Sequence, residues 1–388
     1  MTKQRSAPRK VGLVIFRLVP AGGLEQHCLR LGAMLAAQGC EVTVLTTRVA
    51  PAPGLAVETV AVRGRTNHGR LAAFAEDAAR AAAGRFDVTV AFHAIPGFDV
   101  IFCADPSRAR PPAAKRWLPR YATYARLERE AFAPDRLRLA LLLARPQLEG
   151  FVANAGARRD RLELLAPTVD RGRSAEPTAE DRAAARQRLG IPPHALVWLW
   201  IGLQPKTKGL DRALKALVAV PEARLLVCGL DPAGRSHAEM TRLAERLGVR
   251  PRVIPLGFLD NAGLAAAMAA ADLLVHPSRA DVTGGVILEA MANGLPVVTT
   301  VVCGFGEHVI AADAGAVLPE PFRAGDFEAA LKAAPSRLQA WSANARAYAA
   351  RDDLYRGLER AVELILAVAD DPGGAVSGSS SAARRGDG

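Results

Sequence analysis

Along most of the chain, short runs of β-branched and aliphatic residues alternate with stretches whose apolar positions recur at helical spacing. In the first half, "VGLVIF" (11–16), "EVTVLT" (41–46), "VETVAV" (57–62) and "DVTVAF" (87–92) read as strands bounded by turn residues. Between them, "GGLEQHCLRLGAMLAAQG" (22–39) and "GRLAAFAEDAARAAAGR" (69–85) read as helices. The alternation then restarts. "LVWLWIG" (196–202), "ARLLVCG" (223–229), "RVIPLG" (252–257), "DLLVHPS" (272–278) and "LPVVTT" (295–300) read as strands, separated by helical stretches at 209–219, 235–247, 261–270 and 285–293. This order predicts an α/β chain whose parallel sheets carry helices on both faces. At 388 residues the chain is too long for one ordinary core, and two doubly wound domains in tandem fit it.

The polar stretch "TVDRGRSAEPTAEDR" (168–182) is the expected linker. It divides an N-terminal domain, 1–170, from a second domain, 171–350. A last helical segment, within 351–370, is expected to pack back on the N-terminal domain, and the Gly/Ser-rich 371–388 reads as a disordered tail.

Composition narrows the class. Half of the residues are hydrophobic and 23% are charged, a globular balance. The net charge of +11 argues for an anionic partner, but arginine and alanine dominate, so clustering carries more weight than the total. The five cysteines (28, 40, 103, 228, 303) stand singly with no CxxC pair, which suits buried small hydrophobes in a reducing cytoplasm. No stretch approaches the ~20 apolar residues of a membrane span, so any membrane is met from its surface.

Candidate chemistry concentrates in "DVTGGVILEAMANGLPVVTT" (281–300). Gly284 and Gly285 open a helix, whose N-terminal N–H groups and dipole favour an anion. Two carboxylates flank them: Asp281 in the loop and Glu289 about one turn into the helix, suited to sugar hydroxyls. A nucleotide sugar offers both chemistries; the same letters also fit a plain strand–turn–helix with an Asp281 or Thr283 N-cap. Lys206 and Lys208 precede the helix near Gly209, where an ammonium can offset charge on a leaving diphosphate. Gly22 and Gly23 sit between the first strand and helix, but without GxGxxG, which counts against a dinucleotide enzyme. His93 follows the strand at 87–92, at the carboxyl end where parallel sheets place ligands.

In "RARPPAAKRWLPRYATYARLEREAF" (108–132), seven basic residues stand against two acidic ones, a local balance of +5. Trp117, Tyr121 and Tyr124 recur at i, i+4, i+7, and Pro119 marks the first turn of a helix. With Arg116, Arg120, Arg126 and Arg129 they describe an interfacial helix on an anionic membrane. The alternative is an amphipathic helix that buries its aromatics. No nucleic-acid motif accompanies the patch.

"HPSRADVTGGVILEAMANGLPVVTT" resembles the acidic-x7-Glu motif of retaining GT-B glycosyltransferases, and "IGLQPKTKGLDRALKAL" (201–217) their pyrophosphate-binding segment. With "GRTNHGR" (64–70), "FHAIPGFDVIFCAD" (92–105), "RYATYARLEREAF" (120–132) and "VVCGFGEHVIAADAGAVLPEPF" (301–322), the chain resembles the lipopolysaccharide core α-1,3-glucosyltransferase family from about residue 12 to 365. The resemblance implies two Rossmann-like domains facing a cleft and retaining transfer of glucose from UDP-glucose to an inner-core heptose. It implies Asp281 on the glucose hydroxyls, Glu289 on the ribose, and Lys208 on the diphosphate with Lys206 and Arg173 as further cations. Gly22, Gly23, Gly284, Gly285 and Val286 would offer backbone N–H groups, His93 would touch the transferred sugar, and Gly257 and Phe258 would lie by the base. That family usually carries Glu where Asp281 stands. No DxD triplet or metal-ligand spacing occurs, so neither a metal nor another cofactor is expected. The implied setting is the cytoplasmic face of the inner membrane. Another GT-B nucleotide-sugar enzyme, a UDP-sugar 2-epimerase among them, and a non-catalytic membrane-associated binding protein remain open alternatives.

Overall fold

Seven strands form the first sheet: β1 (Lys10–Val14), β2 (Glu41–Thr46), β3 (Ala56–Thr59), β4 (Val88–Ala91), β5 (Val100–Cys103), β6 (Leu139–Leu142) and β7 (Leu162–Leu164). The computed structural model describes residues 7–18, 23–48, 54–133, 137–169 and 177–371, and all element assignments refer to these. The strands run parallel in the order β3-β2-β1-β4-β5-β6-β7, with Leu13 opposite Val44 on one side and Val90 on the other. Helices α1 (Gly23–Ala37), α2 (Asn67–Ala82), α3 (Pro119–Ala131) and α4 (Arg145–Ala155) connect them. Helix α2 starts where the Thr66 hydroxyl accepts the Gly69 N–H at 3.2 Å, and Pro119 occupies the first turn of α3, where its missing N–H costs nothing.

The second sheet has six parallel strands: β8 (Leu196–Ile201), β9 (Ala223–Cys228), β10 (Val253–Gly257), β11 (Leu273–His276), β12 (Val297–Thr300) and β13 (Gly315–Leu318). Their order is β10-β9-β8-β11-β12-β13, with Leu273 opposite Trp198. Around it lie α5 (Ala179–Arg188), α6 (Leu210–Ala219), α7 (Arg235–Arg246), α8 (Asn261–Ala270), α9 (Gly285–Ala292), α10 (Gly306–Ala312), α11 (Ala324–Ala333) and α12 (Leu338–Ala349). The central strands β8, β9, β11 and β12 are buried on both faces. Trp198, Leu199 and Trp200 are wholly inaccessible, and burying such a large apolar side chain contributes about 1.5–3 kcal/mol. Asp272 anchors the start of β11 by accepting from Arg182, from Arg186 at 2.8 Å and from the Val197 N–H at 2.8 Å.

The chain divides into one unit of Met1–Pro167 with Arg356–Gly388 and another of Thr168–Tyr355. Helix α13 (Gly357–Asp370) lays Leu358, Val362, Ile365 and Val368 into the core around β1 and β4, and Arg9 pairs with Asp370 at 2.8 Å. Part of the expected linker, 170–176, lies outside the described residues. From Thr178 onward the same polar stretch is helical: Thr178 and Asp181 exchange hydrogen bonds of 2.9 and 3.1 Å in a capping box that starts α5. The tail expected over 371–388 lies outside the described residues except for Asp371.

Each sheet has one place where the chain order reverses. In the first unit β2 and β3 lie on one side of β1, and the chain then crosses to build β4 to β7 on the other. In the second the reversal falls between β8 and β11. Loops leaving two such strands diverge to opposite faces and open a crevice at their carboxyl ends, the usual ligand position of open α/β sheets.

Candidate functional site

At the β8/β11 reversal the loop after β8 carries Lys208 and the loop after β11 carries Asp281. Backbone contacts fix both. The Trp200 indole donates to the Lys208 carbonyl at 2.9 Å, and the Lys208 N–H donates to the Gln204 carbonyl at 2.8 Å. Gly209 follows in the left-handed region (φ 74°), and a Cβ there would lie 2.0 Å from the Pro277 carbonyl oxygen. Only glycine permits that approach. Arg212 donates to the Pro277 and Ser278 carbonyls, each at 3.1 Å. Arg279 donates its N–H to the Thr207 carbonyl at 2.7 Å and its guanidinium to the Lys206 carbonyl and both Asp211 oxygens at 2.6–2.8 Å. Two segments 65–73 residues apart in sequence are thereby held as one piece.

The result is a compact charge cluster. Lys208 Nζ lies 2.6 Å from Asp281 Oδ2, and His276 Nε2 lies 2.9 Å from the same oxygen. Asp281 Oδ1 accepts the Gly284 N–H at 3.0 Å. Burial pushes the Asp281 carboxyl up, but hydrogen bonding and charge from His276 and Lys208 outweigh it and hold the group below the usual range. It therefore stays ionised. His276 Nδ1 is buried with no hydrogen-bond partner. Through Nε2, His276 thus supports this loop, and its carbonyl is in turn held by Thr299 Oγ1 at 2.9 Å.

The helix start beside the cluster is open. Gly284 is the left-handed N-cap of α9 (φ 70°), and no side chain caps the helix. A Cβ on Gly285 would meet nothing within 4 Å. Open space thus lies at the start of α9 beside the Asp281 cluster, an arrangement suited to an anion. Val286 is half-buried and packs on the core, and Glu289 is half-buried in the second turn of α9. The absence of metal-ligand spacing does not carry into three dimensions: Asp281 pairs in an isolated bridge with Cys303, and ligand atoms of His276, Asp281 and Cys303 all fall within 4.8 Å. Sequence could not show this, because Cys303 arrives from beyond β12. Within that trio Asp281 Oδ2 is already engaged by both Lys208 and His276.

Lys206 goes elsewhere. Its ammonium pairs with Glu239 on α7 at 3.2 Å and is largely exposed, so the structure brings Lys208 to Asp281 and leaves Lys206 outside the cluster. Gly257 ends β10 in the left-handed region (φ 68°), its carbonyl accepting the Gly229 N–H at 2.7 Å. Phe258 after it is 60% exposed, an uncovered ring at the carboxyl edge of the sheet. Arg173 lies outside the described residues.

In the first unit, Gly23 and His93 follow β1 and β4, the two strands of that reversal; Gly22 lies outside the described residues. A Cβ on Gly23 would meet nothing within 4 Å. Burial, with Arg108 adding to it and Asp105 opposing it, takes His93 down to about 4, and its Nε2 is buried with no hydrogen-bond partner. His93 is a neutral ring with one nitrogen unused.

Helix α3 begins at Pro119, so Trp117 lies before it, 78% exposed, and does not share a helical face with Tyr121 and Tyr124. The tyrosines are half-buried, and the buried face belongs to Ala125, Leu127, Glu128 and Ala131. Cations sit over the aromatic rings: Arg116 over Trp117 at 4.6 Å, Lys115 over Tyr121 at 5.8 Å, and Arg108 and Arg120 over Tyr124 at 5.0 and 5.9 Å. Arg126 pairs with Glu130 at 3.0 Å, and Arg129 donates to the Ala109 carbonyl at 2.6 Å. Sequence reading missed Glu128, which accepts from Ser107, Arg108 and Ala109 and ties the preceding loop to α3. It also missed Arg212 and Arg279. For Arg279 a signal existed: it stands two residues before Asp281, on the same loop.

Residues 181–347 match the family described as glycosyl transferases group 1, and residues 21–162 match glycosyltransferase family 4. The chain is 34% identical over 375 residues to the lipopolysaccharide glucosyltransferase WaaG of Escherichia coli, covering 92% of this chain and 98% of the relative. It is 30% identical over 379 residues to a D-inositol 3-phosphate glycosyltransferase of Xylanimonas cellulosilytica, covering 85% and 88%. Its fold is similar to the crystal structure of WaaG, a glycosyltransferase involved in lipopolysaccharide biosynthesis, with a TM-score of 0.84 over 92% of this chain and 99% of that one at 31% identity.

Proposed function

The chain belongs to the lipopolysaccharide glucosyltransferase family, of GT-B architecture, and on that premise we propose that it moves glucose from UDP-glucose to an inner-core heptose in α-1,3 linkage without a metal. The Lys208–Asp281 pair beside the open start of α9 carries the proposal, because it sets a cation and a carboxylate next to an uncapped helix N-terminus. Lys208 and the N–H groups of Gly285 and Val286 hold the diphosphate, and Glu289 the ribose. Asp281 accepts from glucose hydroxyls, and the base lies by Gly257 and Phe258. The first unit takes the acceptor, and His93 is its candidate sugar contact. The acceptor oxygen bonds to the anomeric carbon on the face from which UDP leaves; the sugar–phosphate bond breaks, and the acceptor proton passes to the departing diphosphate. Lys208 and the α9 dipole offset the charge released, the role a divalent cation fills elsewhere. The cation-capped rings Trp117, Tyr121 and Tyr124 rest on the anionic cytoplasmic face of the inner membrane.

The test is UDP release measured across UDP-sugars with a heptosylated, truncated core acceptor. Turnover with UDP-glucose that requires the acceptor supports the reading. Binding of UDP-glucose with no acceptor-dependent release sinks it and favours a non-catalytic protein; turnover without acceptor points to an epimerase.

A further inference from the structure

Over α6 and α7 lies an open hollow of about 520 Å³ that contains neither Lys208, Asp281 nor the start of α9. Its walls carry five cations, Lys206, Lys215, Arg242, Arg246 and Arg279, against two acids, Asp211 and Glu239. Both acids are spoken for: Asp211 by Arg279 at 2.7 Å, and Glu239 by Lys206 at 3.2 Å and Arg235 at 3.0 Å. Lys215, Arg242 and Arg246 have no ion-pair partner among the described residues. Arg242 and Arg246 stand one turn apart on α7, a like-charge i, i+4 spacing that weakens a helix unless an anion lies between them. Lys215 faces the same hollow from α6, and Met240 and Leu243 also line it. A concave, partly apolar wall with an excess of positive charge focuses the field of its charges.

We propose that this hollow binds a compact polyanion carrying two or more phosphate groups, held by Lys215, Arg242 and Arg246. The phosphates arrive either on a free small molecule or on a lipid headgroup. The site is separate from the sugar-donor site, and its occupancy does not depend on the transferase reading. Its back wall is nevertheless shared with the donor loop, since Lys206 and Arg279 line the hollow while Arg279 holds the Lys206 and Thr207 carbonyls.

The probe is inorganic tripolyphosphate, titrated calorimetrically into full-length Lys208→Ala protein, which disables the diphosphate ligand of the proposed donor site. Binding is expected to persist there and to weaken by at least about tenfold when Lys215→Ser, Arg242→Ser and Arg246→Ser are added. A control removes the same charge from exposed residues elsewhere: Arg145→Ser, Arg188→Ser and Arg323→Ser. Loss of binding with Lys208→Ala alone, equal binding after the hollow substitutions, or an equal loss in the control each overturns the proposal. Vesicles of phosphatidylcholine with and without phosphatidylinositol bisphosphate separate the sources. A headgroup ligand makes the hollow substitutions weaken binding to the bisphosphate vesicles, and a free ligand leaves vesicle binding unchanged.

Discussion

Gly285→Ala isolates the start of α9 as a ligand site. Gly285 has an ordinary helical φ, and a methyl group there would meet nothing within 4 Å. The fold should accept it, with stability unchanged or raised by up to about 1 kcal/mol as the unfolded chain loses glycine's freedom. The same methyl group projects into the open space at the helix start. An oxygen bound there would approach to about 2.9 Å of nitrogen, and the methyl carbon would crowd it. Displacing one charge-assisted hydrogen bond is worth on the order of 1.5–3 kcal/mol, or roughly tenfold to a hundredfold in donor KM. Initial rates of UDP release against UDP-glucose concentration, with urea unfolding of the same preparation, measure both halves. An unchanged donor KM at unchanged stability would remove the diphosphate from this helix.

Gly209→Ala should do the opposite. The left-handed backbone costs about 1–2 kcal/mol for alanine, and the added carbon meets the Pro277 oxygen at 2.0 Å, so unfolding free energy should fall by more than about 3 kcal/mol; a normal urea midpoint would contradict the stitched-loop account. Lys208→Met should lower kcat by about 10²–10³, whereas Lys206→Met, its cation already committed to Glu239, should shift donor KM by less than about twofold. Equal losses would show that both lysines reach the donor. Stability should also fall in acid. His27 and His93, held near 4 by burial against an unfolded value of 6.5, take up protons on unfolding between those limits, so their contribution is complete above about 6.5 and gone below about 4. The loss is on the order of 3 kcal/mol per ring, and His93→Gln should flatten the pH dependence of urea unfolding across that window. A curve parallel to wild type would exclude His93 as a buried neutral group.

The elements most legible in sequence were those with β-branched, turn-bounded runs, such as β2 and β8. Less legible were β6, whose "LALL" lies in the Leu- and Ala-rich "LRLALLLA" and carries no strand signature, and β7, only three residues long. The stretch after β12 was quoted for its resemblance but not divided into α10 and β13, because "VIAADAGAVL" hides a helix end in Asp313, a non-glycine residue at φ 45°. The motif residues Asp281, Glu289, Gly284 and Gly285 could be placed on their loop and helix because a short local spacing fixes them. The resemblance favoured Lys208 over Lys206; what could not be read was the set of contacts that turns it inward. Those contacts are made by Gly209, Trp200 and Arg279, whose partners lie up to 73 residues away.

The shortness of Asp281 fits this geometry. A carboxylate beside a diphosphate would repel it, and in a partly buried site that repulsion is weakly screened. Here two of its roughly four acceptor positions face Lys208 and His276, and a third takes the Gly284 N–H. Its charge is thus matched by the ammonium before any ligand arrives, and one position on Oδ1 remains for a hydroxyl. Because Lys208 carries three N–H donors, it can keep Asp281 and still contact a phosphate oxygen, so diphosphate binding need not break the ion pair. A longer acid would reach further from the β11 loop, but it would have to leave the His276 and Gly284 contacts that hold this carboxylate ionised.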